Sequence, residues 1–282
     1  MQIGLLTAPF GDTDLEQVIE WAGVGDGGEG FDALEVACGP GARHIDTATF
    51  TQADAERIIT KLGECQIGIS SLACYCNTTP EDPAEQQKVL ANLKQVVDSA
   101  ALLGVGIVCT LAGMPHAGKS REQTIEASAR GLFPELCDYA GEKNIKIALE
   151  NWFATNICGL NQFEQLFATV PHANFGLNYD PSHLVHQGID HLMAVDLLAS
   201  RIFHTHAKDV EINHSKLAYL GNQGRGWWRY VIPGFGEIHW GRYVGALRRN
   251  KYDGVLSIEH EDSSQSREEG FVRGLDHLSQ FV

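Results

Sequence analysis

The chain has 282 residues, 44% of them hydrophobic and 20% charged, with a formal net charge of −15. That acidity argues against broad nucleic-acid binding, which needs a basic surface, and no apolar run approaches the ~18 residues of a membrane span. The length suits two small domains or one α/β barrel of the usual ~250 residues, and the opening "MQIGLLTAPFGDTD" lacks the basic and long apolar regions of a secretory signal, so a cytoplasmic protein is expected.

Strand-like apolar runs alternate with helical patterns eight times, at 2–7, 33–38, 67–74, 106–113, 146–151, 174–180, 202–209 and 254–261. Between the third and fourth lies "AEQQKVLANLKQVVDSAALLG", with Val89, Leu90, Leu93, Val96, Val97 and Ala100 at helical spacing. The pattern "SREEGFVRGLDHLSQFV" closes the chain as a helix. Strand-then-helix units without a long linker predict a single (β/α)8 TIM-barrel domain over residues 1–282. Residues 210–239, which include "GNQGRGWWRYVIPGFGEIHW", are the longest excursion and are expected to wall or cover a pocket. The seven cysteines include no C-x-x-C pair, so reduced, mostly buried thiols are expected.

A charge inside the second strand, Glu35, needs a partner, and a structural pairing is expected. His44, just after that strand, either reaches a pocket or stays at the surface. The late strands are more informative, because the chemistry of such a barrel sits where strands end. "KIALEN" ends in Glu150, and "NFGLNYDPSH" supplies Asp180 with His183 one step into the loop. In "RIFHTHAKDVE", period-two alternation puts His204, His206 and Lys208 on one face and Asp209 on the other. "GVLSIEHED" supplies Glu259. Ionisable groups at the ends of consecutive strands are too costly to bury unpaired. Three carboxylates and an imidazole suit a hard or borderline divalent ion such as Mn²⁺, Mg²⁺ or Co²⁺, whereas Zn²⁺ more often has more nitrogen or sulfur.

With "ALEN" (148–151), "GLNYDPSH" (176–183), "HTHAKD" (204–209), "PGFGEIHW" (233–240) and "SIEHED" (257–262) in view, the chain resembles the xylose isomerase-like TIM-barrel superfamily. The resemblance is to its sugar phosphate isomerase/epimerase group, which includes ketose 3-epimerases and inosose dehydratases. It implies that Glu150, Asp180, His206 and Glu259 hold one divalent metal, Mn²⁺ as the first expectation and Mg²⁺, Co²⁺ or Zn²⁺ as alternatives. It also implies a small-molecule carbohydrate substrate, contacted by His183, Lys208 and Arg225, with Arg229 competing for the last role. Trp152, together with Trp227, Trp228 and Tyr230, would stack on the substrate or simply pack the long loop. Glu150 and Glu259 would be catalytic, one removing the proton beside a carbonyl and the other returning one, with the metal stabilising the enediolate. No cofactor other than the metal is expected. By resemblance, the protein would be a homo-oligomer, with an inactive partner subunit as the non-enzymatic alternative.

Asn156 stands where the free-ketohexose epimerases carry a second substrate-contacting glutamate, which points away from a simple ketohexose. A lyase with the same first step, an inosose-type dehydratase or a 3-keto-glycoside deglycosidase, is the second expectation. The endonuclease IV branch is remote, since "GNQGRGWWRY" replaces the Asp-x-His ligands that it needs after the seventh strand. Three further assignments follow from position along the seventh strand. His204, deepest, would be a supporting core histidine or one that bonds a metal-bound carboxylate; Lys208 would stand at the rim; Asp209 would pair within the barrel wall.

Overall fold

The computed structural model describes residues 1–25 and 27–282. Its strands are β1 (Gln2–Leu6), β2 (Ala33–Gly39), β3 (Ile45–Asp46), β4 (Gly68–Ala73), β5 (Ile107–Leu111), β6 (Lys146–Glu150), β7 (Phe175–Tyr179), β8 (Ile202–Ala207), β9 (Asp209–Ile212), β10 (Trp228–Val231) and β11 (Val255–Ile258). Eight of them run parallel in the order β1-β11-β8-β7-β6-β5-β4-β2, and a β1–β2 pairing closes the ring. The fold is therefore the (β/α)8 TIM barrel expected from the alternation. The short β3 adds to β2 outside the ring, and β9 and β10 form a separate antiparallel hairpin.

The helices around the barrel are α1 (Leu15–Ala22), α2 (Gln52–Glu64), α3 (Pro83–Leu103), α4 (Arg121–Gly141), α5 (Leu160–Thr169), α6 (Ser182–Val185), α7 (His191–Leu198), α8 (His214–Leu220), α9 (Trp240–Arg249) and α10 (Arg267–Leu278). Their ends follow local chemistry. Thr51 and Asp54 form a capping box on α2, and Asp82 caps α3 ahead of Pro83. The periodic stripe read in α3 buries Leu90, Leu93, Val96, Val97 and Ala100 against the barrel wall.

The inside of the barrel is unusual in composition. Layers of bulky branched side chains commonly fill such a barrel, but here small residues, Ala73, Cys109 and Ala148, cluster with Leu6 apart from the main core. The freed space holds buried polar groups, among them Glu35, Asn178, His204 and His206. Among the described strand pairings, register shifts occur between Leu34 and Glu35 on β2 and between Leu177 and Asn178 on β7. Such irregularities re-aim side chains, and both fall on residues of this polar interior.

Residues 210–239 are ordered rather than an irregular loop, because they carry most of the β9–β10 hairpin and α8. Asp209 organises the return from the hairpin. Its carboxylate accepts hydrogen bonds from the backbone N–H of Val210, Gly234 and Ile238 and from Trp240 Nε1. Its partners lie on the hairpin and its return rather than within the barrel wall as expected: Asp209 is buried and satisfied by four N–H donors. Gly236 is required there, since a Cβ would lie 2.3 Å from Asp209 Oδ1.

All seven cysteines are free; Cys38, Cys65, Cys109 and Cys137 are buried and the other three half-buried. Among the described residues, no helix is long and apolar enough to cross a membrane.

Candidate metal centre

Each strand end delivers its group through a local device. Glu150 is the last residue of β6, and the next residue, Asn151, exchanges two 2.8 Å hydrogen bonds with the backbone of Asp180. That clamp ties the ends of β6 and β7 together and explains the asparagine of "ALEN". Asp180 Oδ1 accepts from the backbone N–H and hydroxyl of Ser182, at 2.8 and 2.6 Å, which turns Oδ2 inward. Glu259 follows β11, with its backbone N–H on Ala207 O.

Glu150, Asp180, His206 and Glu259 thus converge, each offering one atom within 4.8 Å of the others. His206 Nδ1 is 3.0 Å from Glu259 and 3.7 Å from both Glu150 and Asp180. Asp180 Oδ2 and His206 Nδ1 are buried without a hydrogen-bond partner. Lys208 Nζ stands 3.2 Å from that oxygen and Glu259 3.0 Å from that nitrogen, but neither contact has hydrogen-bond geometry. Two orphaned buried ligand atoms facing a carboxylate pair are what a divalent cation would satisfy, so the residues fit the metal. Glu35, Cys109 and His204 form a second group of similar compactness. Its Glu35 and His204 atoms already bond Tyr75, His206, Asn178 and Ser70, so nothing there calls for an ion.

Electrostatics agree with the geometry. Burial opposes ionisation of Asp180, yet Lys208 and His183 beside it hold its carboxyl well below the usual range. Burial also acts against the Lys208 charge, but Asp180, Glu259 and Glu150 keep the ammonium protonated far into alkaline pH. Glu35 is likewise buried, and His206 and His204 hold it at about 2.

The remaining expected residues fall into two groups. His183 enters the site from α6, with Nε2 3.1 Å from Glu150 and Nδ1 2.6 Å from the Tyr230 hydroxyl. Lys208 is not at the rim. It is 1% exposed, bonded to Glu259 at 2.6 Å and Glu261 at 3.3 Å, with Tyr230 of the hairpin over it at 4.5 Å. The β9–β10 hairpin closes over this lysine, which strand alternation alone does not reveal. Trp228 of the same hairpin stacks on His186 with ring centroids 4.1 Å apart. The site meets solvent on the β11 side, where the Glu259 and Glu261 side chains are 13% and 46% exposed.

Arg225 is exposed beyond α8 and makes no hydrogen bond or ion pair among the described residues, while Arg229 is taken up by Glu211 and Asp262. Trp152 packs edge-on to Phe153. His44 neither lines the centre nor lies free at the surface: it bonds Thr7 and the backbone of Phe10 and Thr13. Asn156 is buried and ties Thr79 to Ala112 O. His204 is a buried supporting residue. It bonds Asn178 and Ser70, not a carboxylate of the centre, because it lies one pleat too deep. Asn178 is a residue that sequence reasoning missed. It shares a strand face with Asp180, so the period-two rule applied one step down β7 points to it.

Comparison with known proteins is consistent with this architecture. A family model described as xylose isomerase-like TIM barrel matches residues 29–281. The uncharacterized protein YfiH of Bacillus subtilis (strain 168) is 26% identical over 318 residues, covering 100% of this chain and 99% of that protein. An inosose dehydratase of Geobacillus thermodenitrificans (strain NG80-2) is 30% identical over 132 residues, 45% of this chain and 44% of the enzyme. The chain thus matches about half the length of the inosose dehydratases it resembles. Among solved structures, the IolI protein with a bound zinc atom superposes with a TM-score of 0.74 at 19% identity, covering 100% and 99% of the two chains. D-psicose 3-epimerase from Clostridium cellulolyticum H10, solved with D-tagatose, gives 0.74 at 16% identity and covers 100% and 99%. At these identities the two structures speak to the fold.

Proposed function

This chain belongs to the family of xylose isomerase-like TIM barrels, and within it we propose that it is a divalent-metal-dependent sugar isomerase or epimerase. Its substrate in this reading is a keto-sugar or sugar derivative, and its reaction is transfer of the proton beside a carbonyl. The observation that carries the reading is the convergence of Glu150, at the end of β6, and Glu259, just after β11, with the orphaned Asp180 Oδ2 and His206 Nδ1. Glu150, Asp180, His206 and Glu259 would hold one ion, with Mn²⁺ favoured by the oxygen-rich set. The ion, when bound, supplies Lewis-acid stabilisation of the negative charge that develops on substrate oxygens.

The protein's own groups do the proton work. Glu150 and Glu259 come from strands three apart in the ring, so one carboxylate takes a proton from one side of the substrate and the other returns it elsewhere. Lys208, held protonated, neutralises charge on a substrate oxygen. His183, steadied by Tyr230, contacts a hydroxyl. The hairpin excludes water from one side, so proton return to solvent is restricted.

The inosose dehydratase relatives favour one second reading, a lyase in which the same carbanion expels a β-leaving group. Keto-sugars, inososes and 3-keto-glycosides incubated with Mn²⁺ in D₂O test both together. Deuterium entering beside the carbonyl, with one ion per chain, supports the shared first step; loss of water or aglycone selects the lyase. No exchange on any of these substrates would overturn the proposal.

A further inference from the structure

Glu35 lies at the register shift of β2 and points into the barrel, fully buried. Its Oε2 is 3.1 Å from His206 Nε2, across 171 positions of sequence. Its Oε1 accepts from the Tyr75 hydroxyl and its Oε2 offers the ring only an acceptor, so the shared proton sits on Nε2. Asn178 Nδ2, 2.9 Å from the same nitrogen, donates instead to the Tyr75 hydroxyl at 2.8 Å, and Tyr75 donates to Glu35. The Asn178 oxygen is engaged at 2.9 Å by His204, which Ser70 holds from below at 3.0 Å. The result is a relay, Ser70–His204–Asn178–Tyr75–Glu35, buried except for the half-buried Ser70 and Tyr75, that ends on Nε2 of the His206 ring and leaves the other nitrogen, Nδ1, unpartnered.

We propose that Glu35 is a positioning residue: it fixes His206 as the tautomer with a proton on Nε2 and so aims Nδ1 at the metal. This rests on the metal-centre reading above. Among the described strand pairings, both register shifts fall on this relay, at Glu35 and at Asn178, which places the distortion where the ring must be aimed. A charged group behind a ligating imidazole also raises its basicity, and loss of such a partner typically weakens metal binding about 10–100-fold.

The test uses the full chain loaded with Zn²⁺ or Mn²⁺. In the zinc-loaded wild type, ¹⁵N NMR of His206 is expected to show a metal-bound Nδ1 and a protonated, exchange-protected Nε2; a metal-bound Nε2 overturns the proposal without any variant being made. In Glu35→Gln, calorimetry is expected to give Mn²⁺ affinity about 10–100-fold weaker at unchanged stoichiometry, with faster exchange of the Nε2 proton. Equal affinity and an unchanged spectrum refute it. Ser70→Ala perturbs the far end of the same relay and is expected to leave the His206 signature intact; a loss equal to that of Glu35→Gln would mean general loosening of the interior and would also overturn the assignment. If the wild type binds no divalent ion, the metal-centre reading fails and takes this one with it. If the wild type binds and only the Glu35 effect is missing, the metal-centre reading stands alone.

Discussion

Lys208 Nζ lies 2.6 Å from Glu259 Oε2 and 3.2 Å from Asp180 Oδ2, inside the same cage of carboxylates that would hold a cation. Among the described residues it is the one ammonium balancing Glu150, Asp180 and Glu259, in a site that the hairpin covers on one side. Breaking a buried charge set by removing one partner costs about 3–5 kcal/mol. Lys208→Met is therefore expected to destabilise chelator-treated protein by roughly that amount, and the Mn²⁺-loaded protein by clearly less, because the ion takes over the balancing charge. Urea unfolding of both forms measures the difference; equal losses would refute the shared-cage account.

For the two glutamates the expectation concerns chemistry with the fold retained. Glu150→Gln and Glu259→Gln keep the side-chain shape but remove a proton acceptor and a ligand charge. Loss of a positioned acid or base commonly costs about 10²–10⁴-fold in rate. Each variant should show a wild-type circular dichroism spectrum and a kcat lowered by at least that range, with deuterium wash-in lost in step. Near-normal wash-in by either one would remove it from the mechanism.

His186 provides the pH dependence. Burial against Trp228 and Phe153, followed by the nearby His183, lowers its imidazole to about 4. In the unfolded chain a histidine titrates near 6.5. Between about pH 6.5 and 4 the unfolded chain therefore binds one more proton than the native state at this position. Stability is present in full above the unfolded value and is lost as pH falls through the folded one. His186→Phe, which keeps a ring on Trp228, should flatten that part of the stability profile, as read from urea midpoints at pH 7 and pH 5. An unchanged slope would show that His186 does not titrate as described.

Asp209 offers a prediction about stability alone. Asp209→Ala leaves Trp240 Nε1 and the backbone N–H of Val210 and Ile238, all buried contacts, and the part-buried N–H of Gly234 without their acceptor. Each unsatisfied buried donor costs about 1–3 kcal/mol. A loss of more than about 3 kcal/mol in the unfolding free energy is expected, and a loss below about 1 kcal/mol would mean that water replaces the carboxylate.

The sequence by itself determined the barrel and the four groups that converge at its candidate metal centre. Periods of two and 3.6 are local properties, so eight strand–helix units were legible in order. The groups at their ends, Glu150, Asp180, His206 and Glu259, follow from counting along each strand. Only the tertiary structure decided how those groups are used. Closure of the ring brings Glu35 to His206 across 171 positions, and no local pattern encodes that distance. The hairpin folded back from residues 209–231 buries Lys208 and seats Tyr230 on His183, while Arg225 is left at the surface. His204 missed the carboxylates by one pleat, because strand spacing sets depth along the barrel and only packing sets which wall a ring meets. Local periodicity states which face a side chain shares; the closed sheet and its covering hairpin choose its partner.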